Sequence, residues 1–415
     1  MNRRLTTAAL AGFSALLVGI GIGRFAYPPL IPVLVLHGWF TAPAADYLAS
    51  INLIGYVVGA LLAGRYGRRW PLGRVARGAM LAVIASYALC AAPGPFVWFA
   101  LWRLVAGIAA AFLMVLAIPA LLAVAPQDKR GRLSGFVFMG IGAGEVVAGF
   151  GIGPLVRHSV AAAWLGMAAV AALACAATWP YWGPARFASD PSAETSEPGG
   201  ISRSMAVLLA AYCCAAFALA PATLYWVDFL ARGLHQGTTL AGRYWSLFGV
   251  AAIAGPPGYG LLSGKLGLPR SMTLCCLLMA AATALPLAMT ATPAIVAATV
   301  GMGVFGPGVT ALFSARTLEI TPPALHQPAW GWMTAAFSIS YALSAWLMAA
   351  LYAATRSYAL PFELAAAAAL GAAALCLPRR TGLMESLKEE VGTQPGPREA
   401  TEHGNSPKQQ RRAAR

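Results

Sequence analysis

Apolar blocks about as long as a bilayer is thick recur along almost the whole chain, and this feature limits the possible folds more than any other. A block of roughly 20 apolar residues crosses the ~30 Å hydrocarbon core as a helix. Lipid offers no partner to a backbone N–H or C=O, so each block must satisfy its own backbone. Twelve such blocks are read, at about 7–36, 46–64, 75–93, 95–124, 133–156, 160–181, 205–230, 239–263, 271–290, 293–316, 328–353 and 358–377. Charged residues make up 10% of the chain, well below the quarter usual in soluble domains, so a water-compatible surface cannot be assembled. The expected class is all-α integral membrane, with 12 transmembrane helices. The first block, running to about Leu36, is much longer than the apolar core of a signal peptide and is expected to persist as the first span.

The polar stretches divide this array. Residues 181–204 contain the run SDPSAETSEPGG and read as a flexible linker. Residues 379–415 are charged and rich in Gly, Pro and Gln, and read as a disordered tail. The expected organisation is therefore 1–180, six helices; 181–204, linker; 205–378, six helices; 379–415, tail. With the N-terminus inside, the inward segments before the tail hold fourteen lysines and arginines, Arg3, Arg4, Arg65, Arg68 and Arg69 among them. The outward segments hold four: Arg157, Arg232, Arg243 and Arg356. That bias predicts an inner-membrane, multi-pass protein with both termini cytoplasmic. It also accounts for the net charge of +15 without nucleic acid. All seven cysteines fall inside apolar blocks, without the spacing of a zinc site.

An internal repeat supports two related halves. Leu61-Leu62-Ala63-Gly64-Arg65-Tyr66-Gly67 recurs 200 residues later as Leu261-Leu262-Ser263-Gly264-Lys265-Leu266-Gly267, after the second and the eighth block respectively. Parallel halves of six spans are a transporter architecture.

Four motifs then carry a resemblance. Gly59-Ala60-Leu61-Leu62-Ala63-Gly64-Arg65-Tyr66-Gly67-Arg68-Arg69 resembles the loop motif G-x-L-x-D-R-x-G-R-[RK] of the major facilitator superfamily, with Gly64 where aspartate is usual. Arg103 and Gly107 in the fourth block resemble that superfamily's R-x-x-x-G element. Gly140, Gly149, Gly153 and Pro154 in the fifth resemble the start of its antiporter motif, which Arg157-His158 then breaks. Gly21-Ile22-Gly23-Arg24-Phe25-Ala26-Tyr27-Pro28-Pro29-Leu30 is similar to a first-span string of the YbfB/YjiJ-like branch. The resemblance implies two pseudo-symmetric six-helix bundles working by alternating access. It also implies a cavity lined by the first, fourth, seventh and tenth spans. Gly59, Arg65, Gly67, Arg68, Arg69, Gly149, Gly153 and Pro154 would then serve conformational gating.

Ionisable side chains within the hydrocarbon region cost about 2.5–3.5 kcal/mol each even on lenient scales, and so mark function. Arg24, Arg103 and Glu145 are the clear cases. Asp46, Asp228, Arg243, Arg316, Glu319 and Glu363 lie near block ends and are expected to reach water. Arg24 and Arg103 either capture a carboxylate of the cargo or bond Glu145 or carbonyls freed by Pro28 and Pro29. Tyr27, Tyr225 and Trp226, with Phe25, are candidate walls of the substrate site. Glu145, too deep to snorkel, is the candidate proton-coupling residue, with a permanent ion pair as the alternative.

No G-x-x-x-x-G-K-[ST], H-E-x-x-H or G-x-S-x-G motif occurs, so neither ATP hydrolysis nor an enzyme activity is expected. A secondary transporter of a small organic solute, coupled to a proton gradient, is the leading expectation. A non-transporting sensor or scaffold of the same fold is the alternative. The expected partners are membrane lipid, the solute (anionic in the arginine reading) and protons, for a chain acting as a monomer without catalytic residues, cofactor or metal.

Overall fold

The computed structural model describes residues 3–66, 71–118, 121, 127–182, 202–321 and 326–378. The expected linker between 183 and 201 and the tail from 379 lie outside them. Among the described residues every regular element is helical. In chain order these are α1 (Arg3–Leu16), α2 (Leu30–Leu36), α3 (Ala42–Tyr66), α4 (Leu72–Leu89), α5 (Phe96–Phe112), α6 (Gln127–Val156) and α7 (Val160–Thr178). They continue as α8 (Arg203–Leu224), α9 (Gly237–Leu266), α10 (Leu268–Ala288), α11 (Thr292–Ile320), α12 (His326–Thr355) and α13 (Ala359–Cys376). Connections such as 37–41 and 157–159 are short, so the spans they join run in opposite directions. The end at which α2 finishes is called distal below.

Among the described residues, eleven helices are long and apolar enough to cross a membrane. The helix α9, expected as a span at 239–263, has 30 residues but is diluted by glycines and by Pro256-Pro257. It packs against α6 on one side and α11 on the other, and exposes Leu240, Val250 and Leu261.

The first span is interrupted. After Leu16 the helix widens to a π-turn over Leu17–Ile22, unwinds between Gly23 and Pro29, and resumes as α2. Pro28 and Pro29 have no N–H to donate to the preceding turn, so the α-helical ladder cannot continue through them. The seventh span also breaks: α8 ends at Tyr225, followed by one short helical turn and a π-turn over Phe229–Gly233. The break at Tyr225 lies 200 residues after Phe25, matching the offset of the sequence repeat.

Small residues set the helix contacts. A Cβ on Gly107 of α5 would lie 2.0 Å from the carbonyl oxygen of Asn52 on α3, and one on Gly59 would lie 2.7 Å from the Cα of Ile108. Across the two halves of the chain, α6 meets α9 through Gly149 and Gly242, where an added Cβ would come within 2.3 Å of the opposing carbonyl oxygen. A Cβ on Gly153 would lie 3.3 Å from Thr239, and Pro154 sits within the last turn of α6. These approaches replace hydrophobic burial as the force joining helices in lipid.

Gly107→Ala is therefore expected to lower stability by about 1–3 kcal/mol, the usual cost of overpacking. Gly78→Ala on α4 meets open space and should be neutral or slightly stabilising. Thermal unfolding of the two variants in detergent checks the contrast.

Candidate functional site

The site is built around the break in the first span. Unwinding there leaves backbone carbonyls without their helical partners, and in a water-poor interior each needs a donor. Gly23 O accepts from Arg103 Nη1 of α5 at 3.0 Å and from Asn52 Nδ2 of α3 at 3.4 Å. Ile22 O, which keeps its backbone donor Ala26 N at 3.4 Å, also accepts from the Tyr87 hydroxyl of α4 at 2.5 Å. Phe25 O, which Pro29 cannot serve, accepts from Trp245 Nε1 of α9 at 2.9 Å. Asn52 also donates to Arg103 O at 3.0 Å, which fixes α3 and α5 together at this level.

The two arginines, Arg103 buried and Arg24 half-buried, thus have different surroundings. Arg103, 1% exposed, is committed to Gly23 O and stacks over the Tyr27 ring at 4.3 Å. Tyr27 in turn donates to Ala45 O at 3.0 Å. Arg24 has no such anchor. Its guanidinium lies 4.2 Å from the Tyr341 ring centroid, 5.2 Å from Phe25 and 5.7 Å from Tyr56. Its Nε is buried without a hydrogen-bond partner. Tyr341 uses its hydroxyl on Thr223 of α8, so its ring face is what remains for Arg24.

Glu145 faces this group from α6. Close backbone contact sets it there: a Cβ on Gly144 would lie 2.4 Å from Gly21 Cα, and one on Gly249 would lie 2.8 Å from Glu145 Cβ. The side chain therefore stands where the first span, α6 and α9 meet. It is 2% exposed, and its Oε2 has no hydrogen-bond partner. Arg24 is the charged group that acts on it. Even so, the ion pairs among the described residues are Asp228–Arg232 and Arg316–Glu319, and neither involves Glu145.

Other expected site residues lie elsewhere. Tyr225 and Trp226 are fully packed rather than lining a wall with Arg24. Trp226 donates to Thr299 Oγ1 at 3.1 Å and packs on Phe229 and Phe362, while Tyr225 packs on Tyr352. Gly67, Arg68 and Arg69, and the side chain of Arg65, lie outside the described residues.

The expectation that Asp46 and Asp228 reach water is overturned. They are 2% and 0% exposed. Position along a helix gave their depth, but the packing of the distal ends buries them. Asp228 holds Arg232 through both carboxylate oxygens and accepts from Tyr358 at 2.6 Å. Burial and the adjacent Asp228 push the Tyr358 phenol well above its ordinary range, so it remains a donor. Arg243 and Glu363 are exposed as expected. A surface cavity of about 550 Å³, lined by Arg232, Tyr352, Arg356 and Tyr358, opens beside this cluster and does not touch Arg24 or Glu145.

Sequence reasoning missed Asn52, Tyr56, Tyr87, Trp245 and Tyr341. Asn52 and Tyr56, one turn apart in an apolar block, were a readable signal. The others are ordinary interfacial residues by sequence, and only the break they serve distinguishes them.

Broken spans, buried charge at their breaks and glycine-mediated contacts between chain halves define a polytopic membrane transporter. A family model described as uncharacterised MFS-type transporter YbfB matches residues 16–377, and the chain belongs to that family. A chloramphenicol resistance protein of Streptomyces lividans is 31% identical over 113 residues, covering 27% of this chain and 29% of that protein. The chain thus matches less than a third of that relative's length.

Trp245→Phe keeps the ring that packs on Phe25 and Phe248 but removes the donor to Phe25 O. It is expected to cost about 1–3 kcal/mol, the penalty for an orphaned buried acceptor. A lower melting temperature with unchanged helical circular dichroism checks this.

Proposed function

We propose that this chain is a secondary active transporter that moves a small organic anion by alternating access, coupled to protons through Glu145. One observation carries this reading: the half-buried Arg24 and the buried Glu145 meet at the same junction, act on each other, and form no ion pair, each with a buried polar atom left unsatisfied. A permanent structural pair would have closed on itself, because an unpaired buried charge is costly. Arg103 supplies the comparison within the same protein: its Nε is likewise buried without a partner, but its Nη1 is committed to Gly23 O.

In this cycle a carboxylate of the cargo takes the open side of the Arg24 fork, with Tyr56 and Tyr341 as its aromatic walls. Glu145 is protonated when Arg24 is engaged by cargo and ionised when Arg24 is free. Proton and anion binding are thereby coupled through one guanidinium. The expected frame is twelve spans in two six-helix halves, with the distal end outside the inner membrane. The residues 64–69 segment is assigned to the exchange between states.

A second reading, efflux of neutral aromatic drugs, is favoured by the chloramphenicol resistance relative and by the aromatic surround of Arg24. Thermal stabilisation of the purified protein by small carboxylates, against neutral aromatic drugs, separates the two, since a ligand selective for the folded form raises its stability.

Arg24→Lys keeps the charge and loses the planar fork. Apparent cargo affinity should fall about ten- to a hundredfold, the equivalent of about 1.5–3 kcal/mol for a charge-assisted hydrogen bond. Near wild-type uptake by this variant in proteoliposomes would rule out bidentate capture. Glu145→Gln should abolish accumulation driven by a pH gradient while retaining exchange between equal cargo pools. Accumulation that survives the substitution would remove Glu145 from the coupling.

A further inference from the structure

At the distal end a second carboxyl lies buried in a setting unlike that of Glu145. Both oxygens of Asp46, on the first turns of α3, are buried and neither has a hydrogen-bond partner. The groups acting on it are Asp228 and Arg232 after α8, together with Tyr27 of the broken first span and Tyr225 at the end of α8. Tyr47 follows it on its own helix.

The one cation in this group is already engaged. Arg232 holds Asp228 in a two-pronged contact, and Tyr358 fills a further acceptor position on the same carboxylate. Tyr27 spends its hydroxyl on Ala45 O. The cluster thus holds one compensated carboxylate and one carboxyl with neither counter-charge nor donor. Two ionised carboxylates sharing one guanidinium in a dry space would repel strongly. The neutral acid is the form that fits.

The same residues close the distal end. Trp226–Asp228 pack against α2, and Trp245 of α9 reaches across to Phe25 O. Asp46 is 2% exposed, with Asp228 and Arg232 of the other half within electrostatic reach. Parting the two halves would admit water to its carboxyl.

We propose that Asp46 is a proton-binding site that holds the distal end shut: it is protonated in this closed form and releases its proton when the distal ends part. The proposal rests on the alternating-access reading above and adds a proton site distinct from Glu145. Opening then releases one proton from Asp46 to the distal solution. Lowering the pH favours the closed form, and raising it favours the open one. By linkage, a step that releases one proton shifts its equilibrium about tenfold per pH unit over the range in which only the open form is ionised.

Hydrogen–deuterium exchange of the full-length protein in detergent reads this directly, through the backbone of residues 25–36 and 225–236. After correction for the intrinsic pH dependence of amide exchange, wild-type protection in these segments should fall about tenfold per pH unit. Asp46→Asn should flatten that dependence, and Glu145→Gln should leave it in place. If Asp46→Asn fails to fold, Asp46→Leu, which likewise binds no proton, is read the same way. In infrared difference spectra over the same pH range, the C=O band of a protonated carboxyl should be lost on substitution of Asp46. A wild type without pH dependence, an Asp46 variant that keeps it, or its loss in Glu145→Gln overturns the proposal. Failure of the transport reading is distinguishable, because uptake in proteoliposomes would then be absent while the pH-dependent exchange persisted.

Discussion

The arrangement depends on how backbone carbonyls are satisfied where the first span unwinds. In water such a break costs little, since solvent takes up the freed groups. Inside a membrane protein each orphaned acceptor costs about 1–3 kcal/mol, so the break survives only where neighbouring helices bring donors. Here α3, α5 and α9 each contribute one, Asn52, Arg103 and Trp245, and Tyr87 of α4 adds a second donor to Ile22 O at the edge of the break. Four helices are thereby tied to one irregular stretch. One of the four ties crosses between the halves of the chain. A change in the conformation of residues 23–29 must be felt by all of them, and a movement of α9 against α6 must act on Phe25.

This accounting also separates two arginines that look equivalent by sequence. Both lie deep in apolar blocks, and either could have faced cargo. Arg103 is one of the donors the break requires, and its guanidinium also stacks on the Tyr27 ring. Arg24 sits within the unwound stretch itself, so its side chain belongs to the break rather than serving it. Aromatic faces attract a guanidinium by about 0.5–2 kcal/mol, less than a paired carboxylate would when desolvated. They hold the charge in place without consuming its hydrogen-bond donors.

Much of this protein was legible in its sequence. The apolar blocks give the helices, since nothing else suits runs of that length, and the string from Gly21 to Leu30 points to the family that the chain matches over residues 16–377. Gly107 and Gly149 were readable as close contacts. Pro28-Pro29 marked freed carbonyls in the first span, but the extent of the unwinding was not legible, because hydropathy is insensitive to a missing N–H. The burial of Asp46 and Asp228 was also misjudged. Distance from the end of a block measures depth along the membrane normal, whereas burial depends on which face of the helix meets the other half. For the same reason Tyr225 and Trp226, expected beside the cargo, turn out to be packing residues. Helix α9 shows the converse: it is too polar for an easy assignment as a span, yet it is the most intimately held, because its glycines admit α6.

The two carboxyls left unpaired, Glu145 and Asp46, differ in what compensates them, and this difference gives the proposed cycle its order. Glu145 has a guanidinium within electrostatic reach that no carboxylate occupies, so its charge state depends on whether something else engages Arg24. Asp46 has no available cation, because Asp228 and Tyr358 have already completed the coordination of Arg232 and its carboxylate partner. Its charge state depends on water, and therefore on whether the distal ends are closed. One group thus answers to cargo and the other to conformation. A transporter with a single proton site must use it for both purposes, which ties the affinity for cargo to the state of the gate. Two carboxyls with separate compensation allow the protein to register occupancy at the break and closure at the distal end as distinct events. The shared link between them is the stretch from Gly23 to Pro29, which carries Arg24 on one side and places Tyr27 against the helix turn of Asp46 on the other.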